Sequence, residues 1–276
     1  MKKYTLIVSI SLLLFSCVSQ DKYDTVSKEK EALEQELREL KFGAPNLLSD
    51  AKEFFEAKDY LQAREKLKTL LEKHPDRPES VEAKEMLSVI DEEESWSNAL
   101  SSTEISNAEN YITSYPSGKY LYLAKQRLSE LKVAKEKTDY ENALTQNSSS
   151  VWKNFVTSYP NRSDIAEIKK RIIKCEVDEI MGERETGRLP SFDQTNTAYS
   201  SSSNVSITND TQCELTVRYS GPDITMIEIP AGGTRTVFLS SGSYRIAASA
   251  CGSNYAGIED LHGDYSSKYY IVTTRY

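Results

Sequence analysis

The spacing of apolar positions changes character in stages along the chain. Leu6 to Phe15 form an apolar run, interrupted only by Ser9 and Ser11, behind Lys2 and Lys3. Its length suits the core of a secretory leader and falls short of the roughly 20 residues a membrane-spanning helix needs. From Tyr23 the spacing alternates three and four. Tyr23, Val26, Lys30, Leu33, Leu37 and Leu40 form a heptad seam, with Glu and Lys filling most other positions. This predicts a charged helix over 18–43, either a stalk or a short oligomerisation seam, closed by Gly43 and Pro45. Residues 47–181 keep a helical period. Periodicity lapses over 182–204, where Gly187, Pro190 and Ser200-Ser201-Ser202-Ser203 predict a linker. Over 205–276 alternation takes over. Val205 with Ile207, Leu215 with Val217 and Tyr219, and Ile227 with Ile229 mark short strands. Val237 with Leu239, Tyr244 with Ile246 and Ala248, and Tyr269 to Thr273 mark further ones. Gly221-Pro222, Pro230-Ala231-Gly232-Gly233 and Ser241-Gly242 supply the turns. The expected fold class is α then β: a solenoid of helical hairpins followed by a small antiparallel β-sandwich.

The helical stretch repeats itself. Ser95–Leu131 aligns without a gap on Asp139–Cys175 at an offset of 44 residues. Asn98-Ala99-Leu100 falls on Asn142-Ala143-Leu144, and Trp96 on Tyr140. Tyr111-Ile112-Thr113-Ser114-Tyr115-Pro116 falls on Phe155-Val156-Thr157-Ser158-Tyr159-Pro160, while Lys125, Arg127 and Leu128 meet Lys169, Arg171 and Ile172. A more diverged copy precedes these: Ala83-Lys84-Glu85-Met86-Leu87 resembles Ala124-Lys125-Gln126-Arg127-Leu128, with His74-Pro75 at the place of Tyr115-Pro116. The unit is a helix, a turn held by Pro, and a second helix whose small and large apolar residues interlock. Each hairpin leaves an apolar face that a neighbouring copy covers, so the copies stack.

Lys58-Asp59-Tyr60, Ala63, Leu67, Leu70 and Pro75, with Ala51 and Phe54 before them, resemble the tetratricopeptide pattern. The two later copies, with their longer period and Tyr-Pro turn, resemble the tetratricopeptide-like repeats of bacterial envelope lipoproteins, including the BamD-like outer-membrane assembly lipoproteins. That resemblance covers about half the chain. It implies a tetratricopeptide-like solenoid over 47–181 that holds a segment of another envelope protein. At the start of the chain, residues 1–17 end in Leu14-Phe15-Ser16-Cys17, which resembles a lipobox. The resemblance implies a signal peptide cut before Cys17, lipid on its sulfur, and two or more acyl chains as a stable anchor. The alternative is an ordinary secretory leader with an incidental Cys. Val18, not Asp, follows Cys17. By similarity to enterobacterial sorting this points to the outer membrane, on either its periplasmic face or the cell surface.

Charge narrows the partners. The 276 residues carry a formal net charge of −8, and no basic patch interleaved with aromatics occurs. That argues against nucleic acid and anionic lipid as electrostatic partners. After loss of a leader the length suits two domains of roughly 100–150 residues each.

Chemistry-bearing residues are few. Cys213 and Cys251 both fall in the β domain, where an envelope compartment permits a disulfide; two buried free thiols are the other reading. Cys175 falls on Leu131 in the repeat and reads as a buried, inert thiol. His74 precedes Pro75, placed to meet helix-end carbonyls. His262 sits in a turn with no nucleophile-elbow pattern near it, and no His/Cys spacing suits a metal. Asp91-Glu92-Glu93-Glu94 reads as a solvated acidic segment. No phosphate loop, cofactor motif or enzyme signature is present. Tyr244, Tyr255, Tyr265, Tyr269, Tyr270 and Tyr276 crowd the C-terminal region as strand core, a protein-contact surface or a glycan platform. Trp96, Tyr111, Tyr115, Trp152 and Tyr159 read as repeat core. The expectation is a lipid-anchored scaffold that contacts another protein through its repeats. The alternative is a glycan- or peptidoglycan-binding lipoprotein that uses the β-sandwich.

Overall fold

The computed structural model describes residues 20–196 and 200–270. The leader, Cys17 and Val18, residues 271–273 of the expected last strand and Tyr276 lie outside them. The helices are α1 (Gln20–Phe42), α2 (Ala44–Glu56), α3 (Tyr60–Lys73), α4 (Glu79–Ser101), α5 (Ile105–Ser114), α6 (Leu121–Gln146), α7 (Ser149–Ser158) and α8 (Ile165–Gly182). The strands are β1 (Gly187–Arg188), β2 (Asp193–Asn196), β3 (Ser202–Asn209), β4 (Leu215–Ser220), β5 (Ile224–Ile229), β6 (Thr234–Ser240), β7 (Gly242–Ala250), β8 (Ser253–Leu261) and β9 (Gly263–Tyr269). Two compact units divide at Leu131 and Lys132, inside α6.

In the first unit α1 buries none of its residues. Its last carbonyl, that of Phe42, accepts a 2.5 Å hydrogen bond from Nε2 of His74, so the histidine serves a neighbouring helix end rather than its own. The chain restarts at Ala44 with Pro45 in the first turn of α2, where no N–H partner is needed. The α2–α3 hairpin turns at Lys58, whose φ is 60°, and Asp59 caps α3 by accepting from the Gln62 N–H. Ala51 and Ala63 let the two helices approach, and Leu67 and Leu70 fill the fully buried space between.

The acidic run on α4 is a fastener rather than a solvated face. Asp91 and Glu94 fork the guanidinium of Arg64 on α3, at 2.5 and 2.7 Å. Glu92 accepts from the Tyr111 hydroxyl and the Lys119 N–H, both at 2.6 Å, while Glu93 holds the Tyr120 hydroxyl and Lys119 Nζ. These carboxylates pin the Tyr-Pro turn that leads into α6. Hydrogen bonds donated to Tyr120 and Glu93 hold the exposed Lys119 ammonium well above its ordinary range.

The second copy rebuilds the same corner with different residues. Phe155 replaces Tyr111 and has no hydroxyl; Arg162 stands where the first copy has Gly118. The Arg162 guanidinium bonds Glu136, the counterpart of Glu92, at 2.5 Å and lies 4.9 Å from the Tyr140 ring centre. In the first copy that space is taken. A Cβ at Gly118 would meet Glu92 Oε1 at 2.5 Å, the Tyr111 hydroxyl at 2.7 Å and Tyr115 Cβ at 2.8 Å. Gly118→Ala is therefore expected to cost about 1–3 kcal/mol by overpacking. In a Tyr111→Phe background the added cost shrinks, because the hydroxyl that fills the corner is gone. Urea unfolding of the four proteins as a double-mutant cycle measures this coupling, and strict additivity refutes it.

The second unit joins the end of α6 with α7 and α8 to two sheets. Trp152, Phe155, Ile168, Ala143 and Cys175 form the helical core, with Tyr140 and Tyr159 against it. One sheet has the order β1-β8-β7-β4-β5, the other β2-β9-β3-β6. Val205, Ile207, Val237, Leu239 and Tyr269 from the second meet Leu215, Val217, Tyr219, Tyr244 and Ile246 from the first in one core. The architecture is α then β, and the sandwich is mixed rather than wholly antiparallel: β1 runs parallel to β8, and β9 parallel to β3. The chain passes at His262 from β8 in one sheet to β9 in the other, so β9 is free of the hairpin constraint that would set it antiparallel to its neighbour.

Three sequence expectations need correction here. Residues 182–204 are not a bare linker, because β1, β2 and the start of β3 lie within them and join both sheets. β8 was not expected at all, and β9 spans Gly263–Tyr269, of which only Tyr269 was expected in a strand. The helical and β segments are not separate bodies at this point, since α8 lies on the outer face of the β1–β5 sheet. Val177, Ile180 and Met181 of α8 pack on Ala247 and Ala256, whose small side chains sit side by side on β7 and β8.

Candidate functional site

α4 with α5, and α6 with α7, each pair a long helix with a ten-residue one. Ala99 on α4 and Ala143 on α6 are fully buried. One residue before each alanine, the long helix turns Asn98 or Asn142 to the surface, and the facing short helix offers Asn110 or Asn154. The result is a shallow groove in each copy. The first encloses about 320 Å³ and is lined by Asp91, Glu94, Ser95, Asn98, Asn107 and Asn110. The second encloses about 230 Å³, with Asp139, Asn142, Val151, Asn154 and Ser158 on its walls.

Asn98 matches Asn142, and Asn110 matches Asn154, at the 44-residue offset. Ala99 and Ala143 are kept, but other buried positions diverge: Ala108 becomes Trp152, Ala124 becomes Ile168, and Leu131 becomes Cys175. Packing therefore explains neither asparagine. Both Asn110 and Asn154 are exposed mid-helix residues, at a cost in helix propensity of about 0.5 kcal/mol relative to alanine. Among the described residues the carboxamides of Asn98, Asn110 and Asn154 make no hydrogen bond, and Asn142 only accepts one, from Gln146 at 2.8 Å. Each groove thus presents paired donors and acceptors, the complement of peptide amides. Two other retained pairs have structural work. The hydroxyls of Thr113 and Thr157 bond the carbonyls four residues back, and Pro116 and Pro160 follow the ends of α5 and α7.

The grooves differ in charge. Ser95 and Asn107 of the first become Asp139 and Val151 in the second. The Tyr159 hydroxyl, 2.6 Å away, and Lys135 hold the Asp139 carboxyl below its ordinary value. Burial, reinforced by Asp139, pushes Tyr159 up to about 12. A third cleft, of about 520 Å³, lies over the second Tyr-Pro turn, but its charged residues Glu136 and Arg162 already satisfy each other.

The sequence-selected residues fall as follows. Cys213 and Cys251 form a disulfide with Cα atoms 5.4 Å apart. Cys175 is buried with its Sγ on the Asn147 carbonyl at 3.3 Å, and burial raises its pKa. His262 occupies the β8–β9 turn, where its backbone N–H meets the Tyr265 hydroxyl. Tyr244 and Tyr269 are core, Tyr255 and Tyr265 pack against it, and Tyr270 is exposed. Asn110 and Asn154 belong to no recognisable motif and lie off the apolar stripes that carry the repeat. Their identity at the repeat offset was the available signal.

Residues 169–272 match the family described as Domain of unknown function (DUF6759). The match starts inside α8 and ends just after β9, so this family's unit includes the helix that covers the first sheet. It leaves out both grooves. Neither the curated proteins nor the solved structures gave a match to the chain.

Proposed function

We propose that this chain is a lipid-anchored protein of the bacterial outer membrane whose helical repeats hold a segment of another envelope protein. The observation that carries this is the pair of exposed asparagines kept in both copies while the packing around them changed. A receptor groove on prefolded helices loses little freedom when a segment docks, so a few amide hydrogen bonds suffice for useful affinity. The lipobox-like ending at Cys17, followed by Val18, supports the anchor and the membrane. No catalytic role is assigned to any residue.

The test is affinity capture from cross-linked envelope membranes, using the full chain beside Asn110→Ala/Asn154→Ala. Both residues are exposed, so the fold should be unaffected. With each amide contact worth about 0.5–1.5 kcal/mol, the double variant should retain a stoichiometric protein partner about tenfold or more weakly. Equal retention by the double variant would sink the groove reading.

A second reading has its own observation. Phe238 on β6 is 77% exposed, stands in register with Asn204 on β3, and Asn204 donates to Asp264 at 2.7 Å. An open ring beside an amide–carboxylate pair suits the C–H face and hydroxyls of a sugar. In the same capture, polysaccharide held by the full chain and lost on Phe238→Ala, without a protein partner, would favour this reading.

A further inference from the structure

α1 is a 23-residue helix that buries nothing of its own. Yet Tyr23, Val26, Leu33, Leu37 and Leu40 are each 50–65% exposed along one stripe. In proteins most helical stability comes from packing of an amphipathic face, and surface helices normally bury such a stripe. The stripe advances by alternating steps of three and four, the spacing of a supercoil with another helix rather than of packing on a globular face. Acidic side chains outnumber basic ones on α1, which disfavours an anionic lipid surface as the cover.

We propose that α1 pairs with α1 of a second copy of this chain, parallel and in register. Charge selects this occupant and orientation. In register, the two Lys30 side chains share one layer, flanked by Glu29 and Glu34 of both copies. Lys30 already lies 3.7 Å from its own Glu34, and pairing brings the other copy's Glu29 beside it. One heptad on, Glu36 of each helix faces Lys41 of the other. The antiparallel arrangement that stacks the same stripe sets Lys30 against Leu33, loses the Glu36–Lys41 pairs and places Glu29 of each helix against Glu36 of the other. The inference is independent of the grooves on the later helices.

Sedimentation equilibrium of the full chain across a wide concentration range is the test. A reversible monomer–dimer equilibrium is expected. Leu37→Lys should weaken it by about a hundredfold, and Lys30→Leu should strengthen it by about tenfold. Because α1 buries nothing, both variants should keep the wild-type thermal unfolding curve, which separates lost association from lost folding. A single monomeric species at every concentration, or insensitivity to both substitutions, overturns the proposal. Orientation is read by Val26→Cys in a Cys17→Ser background, since Cys175 is buried and the remaining cysteines are bonded to each other. Mild oxidation should then yield a covalent dimer. Association without that cross-link overturns parallel pairing.

Discussion

Replacing Glu176 by alanine should destabilise the second unit by about 3–5 kcal/mol, among the largest effects expected of a single substitution in this chain. Glu176 lies on α8 with its side chain 10% exposed, bonded to Arg218 on β4 at 2.6 Å and to Lys153 on α7 at 2.5 Å. The two cations differ. Lys153 is 55% exposed and returns to water when its partner goes, whereas the Arg218 side chain is 14% exposed and keeps only Ser249 Oγ, at 3.1 Å. The cost of Glu176→Ala is therefore the cost of a guanidinium left uncompensated under a helix. Lys153→Ala, by contrast, should cost no more than about 1 kcal/mol. Replacing Glu176 and Arg218 together by methionine should recover most of the loss, since a buried pair often roughly balances its own desolvation. Urea unfolding of these variants orders them, and a Glu176→Ala cost no greater than that of Lys153→Ala refutes the assignment.

The same carboxylate gives the unit an acid limb. Burial alone would raise the Glu176 pKa, but hydrogen bonds and charge from Lys153 and Arg218 together hold it below its ordinary value. A carboxyl with a folded-state pKa below its unfolded one binds protons more readily when unfolded. Its contribution is complete above the unfolded pKa and is lost as pH falls through the folded one. The difference in stability between wild type and Glu176→Gln should thus be greatest near neutrality and shrink in acid.

Glu176 also shows where reading the sequence stopped short. Ile168, Ile172 and Cys175 of α8 follow from the repeat, because their counterparts Ala124, Leu128 and Leu131 share the helical period. Periodicity assigns one buried stripe per helix, and α8 has two partners: the α7 core and a sheet encoded further on. A charged residue between the two stripes reads as surface until the sheet is known to lie there. The available clue was on the sheet. Outward positions of β4 and β7 are otherwise polar, and Ala247 breaks that pattern where the helix lies.

β8 and β9 were lost for related reasons. β8 carries Gly257 because Leu189 crosses over it, so that a Cβ there would meet Leu189 Cδ1 at 2.9 Å. In β9 the inward position between Tyr265 and Tyr269 is the buried Ser267, which erases the apolar alternation. β1 and β2 are too short and polar to show a period at all. The heptad seam and the Asp59-Tyr60 hairpin, in contrast, rest on local spacing and were legible. The paired asparagines are equally legible, as identical exposed residues at the 44-residue offset.

Removing the Cys213–Cys251 bond is the other large effect expected. The bridge ties the turn before β4 to the turn after β7, closing a loop that holds β4, β5, β6 and β7. The separation is 38 residues, for which the chain-entropy model gives about 4 kcal/mol at room temperature. A core of this size has little margin to absorb that loss. Geometry adds a second component. Cys251 and Gly252 have φ of 51° and 78° and form the two-residue turn between β7 and β8, with Ala250 paired to Ser253. A non-glycine residue at position 251 therefore remains in the left-handed region after the bond is cut. Cys213→Ser/Cys251→Ser should lose about 4 kcal/mol, whereas Cys213→Ser/Cys251→Gly should recover up to about 1 kcal/mol of it. Reduction of the wild type by dithiothreitol should reproduce the first loss and leave the first unit, which holds no part of the bridge, unchanged. Hydrogen exchange resolved by peptide separates the units. Protection of β4 and β7 that survives reduction unchanged would show that the sandwich does not depend on the bridge.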